Sequence, residues 1–373
     1  VADDPQSSVD SMADPYFEPI GPGAFPPLPY DKDIDNDGDD GRPGRDARRF
    51  VAAGFVAAGR AAVADVLGTV RTLRFWAVAV AGLCATWAVV AALVLLPGTA
   101  GDSTEWVPPP VLAYVMASSL LPATAALVAM HWGMRYWAPA AAGGNPERRI
   151  FAAVLAAALR GLVFAVLILA TLLLQAAAAG EPGTAAAMSA GVAVVEGALF
   201  GGMGVAVAAL GWRAGRTRVA GWALALFLVA GSVAAAAFLV PAVRTEEPVT
   251  VALNIERAPD GSAVAYECSA VSVGVAEVYR TERVMWLPAA SPSVLFVMLA
   301  GDAGTGAGLI RSLSAAFQEA ADGTQVLCVN GEPRSRDAQR MPMAAVGLLL
   351  QAAVAGALLV GAHAAADRRR RSA

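Results

Sequence analysis

Glu196 is the residue whose setting most invites chemistry. It sits about seven residues inside an apolar stretch, Ser189 to Leu210. An ionisable group at that depth of a bilayer costs on the order of 2–3 kcal/mol to insert, so it is expected to face protein or water rather than lipid. Counting depth along the other apolar stretches puts further polar side chains at a similar level: Ser118, Ser119, Gln175, Ser232 and Gln351. Such a set can line an outward-facing polar cavity and serve as a proton- or cation-linked site, or as a path for a polar substrate. The same residues can also do no more than bond between helices, at ~0.6 kcal/mol per bond. A neutral Glu196 bonded to Gln351 satisfies that plainer reading.

Cys268 and Cys328 lie in the one large polar segment beyond the N-terminal region, whereas Cys84 lies in an apolar run. A disulfide between the first two is expected on strands in an oxidising compartment, closing a loop worth roughly 3–4 kcal/mol on the chain-entropy account. Arg160 falls near the arginine-rich end of an apolar stretch, where its guanidinium is expected to snorkel to the interface. An ion pair with Glu196 is the alternative, disfavoured by the difference in depth. Gly197 and Gly201 form a small-xxx-small pair, expected to pack within the chain rather than between copies.

Other patterns fall short of a site. Asp33, Asp35, Asp37 and Gly38 open like a calcium loop, but Gly44 stands where a bidentate carboxylate is required. Gly301, Gly304, Gly306 and Gly308 are not followed by Gly-Lys-Ser/Thr, so they make no phosphate-binding loop. With two histidines, both near arginine-rich connections, no Ser/His/Asp or Cys/His set can be assembled. No enzyme activity, cofactor or metal site is expected, and no basic tract with interleaved aromatics points to nucleic acid.

The elements that must position these residues are membrane helices. Hydrophobic residues make up 57% of the 373 positions and charged ones 16%, against about 45–50% apolar in soluble domains. The excess comes as six blocks, each near the ~20 residues that cross the hydrocarbon core as a helix. They run Trp76 to Leu96, Val111 to Met130, Leu155 to Ala178, Ser189 to Leu210, Val219 to Val240 and Ala344 to His363.

Arginine distribution sets the predicted orientation. One set of connections carries Arg48, Arg49, Arg60, Arg71, Arg74, Arg135, Arg148, Arg149, Arg213, Arg216 and Arg218, then Arg368, Arg369, Arg370 and Arg371. The short connections between them, Pro97 to Pro110 and Gly180 to Thr184, carry none. The arginine side is therefore expected to be cytoplasmic, with both termini there and the terminal run as a topology anchor. Lys32 is the one lysine among 27 basic residues; with abundant Ala, Gly and Val this points to a bacterial chain of high-GC origin and a plasma-membrane location.

Residues 1–46 hold 12 Asp or Glu against 3 Lys or Arg and are expected to be a disordered acidic cytoplasmic tail, without a signal peptide. Residues 47–74 read as an amphipathic helix on the inner leaflet or as an extension of the first span. Residues 75–240 form the five-helix region, 342–364 the sixth span and 365–373 a basic tail. Between them, residues 241–341 are expected to be a small extracytoplasmic α+β domain. Its strands are predicted at Val249 to Ile255, Ala263 to Cys268, Val271 to Tyr279, Arg283 to Leu287, Val294 to Leu299 and Gln325 to Val329, with a turn at Pro259-Asp260-Gly261 and a helix along Leu309 to Ala320.

The fold class expected is thus an α-helical polytopic membrane protein of six spans. Its expected partners are the lipid bilayer and a protein in a membrane complex. Its expected role is a permease-like component of a transport or export system, or else a non-catalytic scaffold or sensor.

Overall fold

The computed structural model describes residues 43–95, 108–137, 146–211, 214–257, 263–303, 308–323, 328–329, 332–333 and 342–372. The acidic tail up to residue 42, the connection at 96–107, the turn at Pro259 to Gly261 and residues 304–307 and 334–341 lie outside that set, and so do the expectations stated for them. Residues Arg49–Ala373 form one unit.

The six apolar blocks are six helices long enough to cross a membrane. Helix α1 (Pro43–Val70) precedes the first of them. The spans are α2 (Leu73–Leu95), α3 (Pro109–Tyr136), α4 (Pro146–Ala179) and α5 (Thr184–Ala209). A fifth span follows, built of α6 (Ala214–Leu226), a π-helical turn (Phe227–Gly231) and α7 (Ser232–Leu239). The sixth is α10 (Met343–Ser372). The arginines Arg135, Arg149, Arg216, Arg218, Arg368 and Arg369 all belong to the same ends of these antiparallel helices, opposite the end that carries the sheet.

Helix α5 is the hub. Its membrane window is 72% buried, against 17% for α2. Glycine makes this possible. A Cβ on Gly133 of α3 would lie 2.3 Å from the Gly201 carbonyl oxygen, and one on Gly204 would lie 2.6 Å from that of Met130. Gly197 meets Gly161 of α4 backbone to backbone. The small-xxx-small pair is therefore spent inside the chain, as its composition leads one to expect. Peripheral α2 docks through Phe75, whose ring stacks on Trp132 at 4.4 Å, and through Thr86, whose hydroxyl lies 2.6 Å from that of Thr124.

Helix α1 is separated from α2 by a break at Arg71 and Thr72. Its face along Ala58, Ala62, Val66 and Thr69 is buried, with Ala62 and Val66 packed on Ala156 of α4. Val56, Val63 and Leu67 are exposed on another face.

The region between the fifth and sixth spans holds a four-stranded sheet of order β2-β1-β3-β4, antiparallel throughout. The strands are β1 (Arg244–Arg257), β2 (Ala263–Tyr279), β3 (Cys328–Val329) and β4 (Glu332–Pro333). β2 merges two strands predicted separately. A bulge in β1 puts Asn254 at φ 53°, which asparagine tolerates better than most residues. Cys268 and Cys328 are disulfide-bonded with Cα atoms 5.7 Å apart.

Two predicted strands are corrected. Arg283 to Leu287 is a series of tight turns, and Val294 to Leu299 lies within helix α8 (Pro292–Asp302). Short apolar runs do not distinguish a strand from a buried helix by periodicity alone. Helix α8 packs among α3, α5 and α10, and Val294, Leu295, Phe296, Val297 and Met298 join the principal core. Amphipathic helix α9 (Gly308–Asp322) rests on α8, with Ser314 against Gly301.

Candidate functional site

Helix α5 carries Glu196 about twelve residues past Thr184, or ~18 Å along the axis, near the middle of its span. Gln351 lies about eight residues into α10, ~12 Å from its start. The two meet: the Gln351 Nε2 donates to Glu196 Oε1 at 2.9 Å. The same nitrogen donates to the backbone carbonyl of Ala290, also at 2.9 Å. Both side chains are fully buried at 0% exposure, so no water-sized space touches either.

Ala290 belongs to the segment that sequence reasoning assigned to the separate domain. From Thr281 the chain makes a 3-10 turn, reaches a second one at Pro288–Ala290, and returns as α8. Ala290 packs in a cluster with Ala126, Phe200, Leu228 and Ala355, all well inside their spans. Residues 284–302 thus dip into the bundle from the sheet-bearing end and come back out, as a re-entrant segment. Non-helical backbone at such depth is tolerated only when it is enclosed by protein, and Pro288, Ala289, Ala290 and Ser291 are all buried.

The fifth span answers this segment with an irregularity of its own. The hydroxyl of Ser291 donates to the Val229 carbonyl at 2.8 Å. Val229 lies inside the π-helical turn Phe227–Gly231. Such single turns interrupt the regular bonding ladder and often mark functional positions. On α10, Gly347 lets the segment approach, because a Cβ there would sit 2.0 Å from the Ala289 carbonyl oxygen.

The remaining polar residues of similar depth bond elsewhere. Ser118 is buried; its carbonyl accepts from Ser189 at 2.8 Å, while its own hydroxyl has no partner among the described residues. Ser119 bonds its own helix at Met116, and Ser232 bonds Leu228 in the π-helical turn preceding it. Gln175 reaches the Pro110 carbonyl at the start of α3, at 3.4 Å. The close site is therefore Glu196, Gln351 and the backbone of Ala290, with Ser291 and Val229 beside it.

Glu196 Oε2 and Gln351 Oε1 are buried without a hydrogen-bond partner among the described residues. No Arg or His among the described residues pairs with Glu196. A charge on Glu196 would be met by one amide N–H alone, and a proton on Oε2 would remove that charge.

Arg160 is a second correction. It is 2% exposed and does not snorkel. Its Nη2 lies 2.5 Å from Asp65 Oδ2 and 3.0 Å from the Thr69 hydroxyl of α1, and its guanidinium sits 4.5 Å from the Tyr136 ring centroid. It ties α1 to α4 and does not reach Glu196.

Sequence reasoning missed Ala290, Ser291 and Val229. A signal was present: residues 284–301 hold no charged residue and are interrupted by Pro288 and Pro292, the mark of a broken membrane-depth segment. Comparison of the chain with protein-family models and with curated proteins finds no match.

Proposed function

We propose that this multi-pass membrane protein is a permease-like component of a transport or export system, with Glu196 as its proton- or cation-linked group. The observation that carries this reading is the mid-span Glu196 carboxyl, buried with its Oε2 unpartnered among the described residues and tied through Gln351 to the backbone of a re-entrant segment. That segment fills the path between α3, α5 and α10 from the sheet-bearing end. Taking up or losing a proton at Glu196 changes the charge beside Gln351 by one unit. On proton loss the N–H that Gln351 gives to Ala290 has reason to join the other on the carboxylate, which frees the segment to move. Broken backbone at mid-membrane depth is the usual site of such alternation in transporters.

The one-sided placement of the arginines supports an orientation with both termini cytoplasmic and the sheet outside, in a bacterial plasma membrane. A disulfide suits that outer compartment.

The test is proton movement in proteoliposomes carrying a pH-sensitive dye under an imposed membrane potential. Wild-type protein is expected to move protons, and Glu196→Gln to abolish the movement while remaining folded. Equal rates for the two proteins would remove Glu196 from the mechanism, and no movement by the wild type would remove proton coupling.

A second reading rests on the sheet. Val251, Leu253, Val271 and Val275 are exposed on β1 and β2, which suits a scaffold or sensor that binds a protein partner there and recruits another through its acidic tail. Deleting residues 1–46 discriminates the two readings: a transporter core keeps its activity, whereas a tail-dependent scaffold loses its co-purifying partner.

A further inference from the structure

The arginine-bearing end holds a cleft that the buried contact does not involve. It measures about 670 Å³ and opens between the ends of α3, α5, α6 and α10. His131, Arg135, Thr217, Arg218, Trp222 and Arg369 line it, and no carboxylate does among the described residues.

Each basic group has a reason to be there. Arg369 is fixed: its Nη2 donates to the Ala209 and Leu210 carbonyls, at 3.2 and 2.6 Å, which end α5. Gly211 at φ 71° makes room, since a Cβ there would lie 1.9 Å from the Arg369 Nη2. Arg135 and Arg218 are exposed and make no ion pair among the described residues. The rings of His131 and Trp222 lie side by side, 6.0 Å between centroids.

We propose that this cleft binds the phosphate-bearing headgroup of an anionic phospholipid. Guanidinium groups match phosphate oxygens in a planar, two-point geometry. Three of them around one opening, with no acid among its described lining residues, leave a positive charge that an anion neutralises. The cleft lies where the apolar helices end, at the level of lipid headgroups, and indole rings favour that level. A ligand whose phosphate enters here has its acyl chains beside the spans, whereas a free phosphate gains nothing from the apolar surroundings. Basic pockets between the ends of spanning helices take such headgroups by this combination.

The experiment is native mass spectrometry of the delipidated full chain, titrated with phosphatidylglycerol, phosphatidylcholine or inorganic phosphate. Wild type is expected to retain phosphatidylglycerol and release phosphatidylcholine. Arg135→Gln with Arg218→Gln should weaken phosphatidylglycerol about thirtyfold, and either change alone about fivefold. The pair Arg135→Lys with Arg218→Lys should keep most of the binding. Because both residues are exposed, the single changes preserve a readout should the double variant fail to fold. Equal retention of the two lipids, or undiminished phosphatidylglycerol on the glutamine variants, overturns the proposal. Displacement of the lipid by inorganic phosphate overturns it as well, assigning the cleft to a soluble anion.

Discussion

Replacing Gln351 with Leu keeps nearly the same volume and removes both hydrogen bonds of its amide nitrogen. Glu196 Oε1 and the Ala290 carbonyl, each 2.9 Å from that nitrogen, are then left buried without a donor. Bonds between membrane helices average ~0.6 kcal/mol and reach ~1.7, so two of them put the cost of Gln351→Leu at about 1–3 kcal/mol. Glu196→Leu acts differently. It strands one amide hydrogen, but it also removes a carboxyl whose Oε2 already lacks a partner, so its cost should be near zero. The double variant orphans only the Ala290 carbonyl. It should therefore be more stable than Gln351→Leu alone, by about 1 kcal/mol, which is a sign that no additive scheme gives. Unfolding the four proteins of this cycle by titrating a denaturing detergent into mixed micelles measures each difference. If the two single costs simply add, the bond carries no energy and the site argument built on it fails.

Gly347→Val should abolish folded yield, since its Cβ would meet the Ala289 carbonyl oxygen at 2.0 Å, whereas Gly356→Val on the same helix, with nothing within 4 Å, should express normally; size-exclusion profiles in detergent compare the two. Unfolded, unreduced protein should expose one thiol to a maleimide reagent, Cys84, and all three after reduction; three before reduction refutes the bridge. Losing the bridge through Cys268→Ser with Cys328→Ser should destabilise the sheet by up to ~4 kcal/mol, read as earlier proteolysis of the sheet region than of the spans. Asp65→Asn should loosen α1 rather than the bundle, because its half-exposed carboxylate holds the buried Arg160; hydrogen exchange should rise across residues 58–70 while α5 stays protected.

The six spans were legible because lipid imposes one simple demand, about twenty apolar residues in a row, and each block met it. The disulfide was legible from two cysteines on either side of one polar region. The bond between Glu196 and Gln351 followed from counting depth. Gln175 shows where that method stops, since its side chain reaches back to Pro110 at the helix start and not toward Glu196. Depth says nothing of azimuth, and the near-uniform Ala, Val and Leu coating of these helices gives no moment from which to read it. Arg160 failed for a related reason: its partner Asp65 lies on α1, whose docking on α4 uses small residues such as Ala62 that leave no distinctive stripe. The re-entrant segment was hidden because Val294 to Leu299 suits a buried strand as well as a buried helix, and the choice between them is made by the surrounding helices.

The irregularities in this bundle form a single set. A chain that enters lipid depth and turns back cannot satisfy its own backbone by an unbroken helix, so each stray group must find a donor. Within the segment the turns do much of this: Ala290 N–H donates to the Leu287 carbonyl, Ser291 N–H to Pro288, and Leu295 N–H to Ser291. Among the carbonyls that the turns leave over is that of Ala290, and Gln351 supplies its donor. The π-helical turn leaves the Val229 carbonyl open to a further bond, and Ser291 supplies it. The break in one element and the bulge in the other therefore meet through adjacent residues, Ala290 and Ser291. A purely structural solution would stop with those two bonds. Glu196 is surplus to it, since Gln351 already satisfies Ala290 and the carboxyl adds a buried oxygen without a partner. Under the proposal that Glu196 is proton-linked, a residue that costs insertion energy and relieves no backbone group has its use in a change of its own charge, and the group placed to feel that change is the amide bonded to the segment.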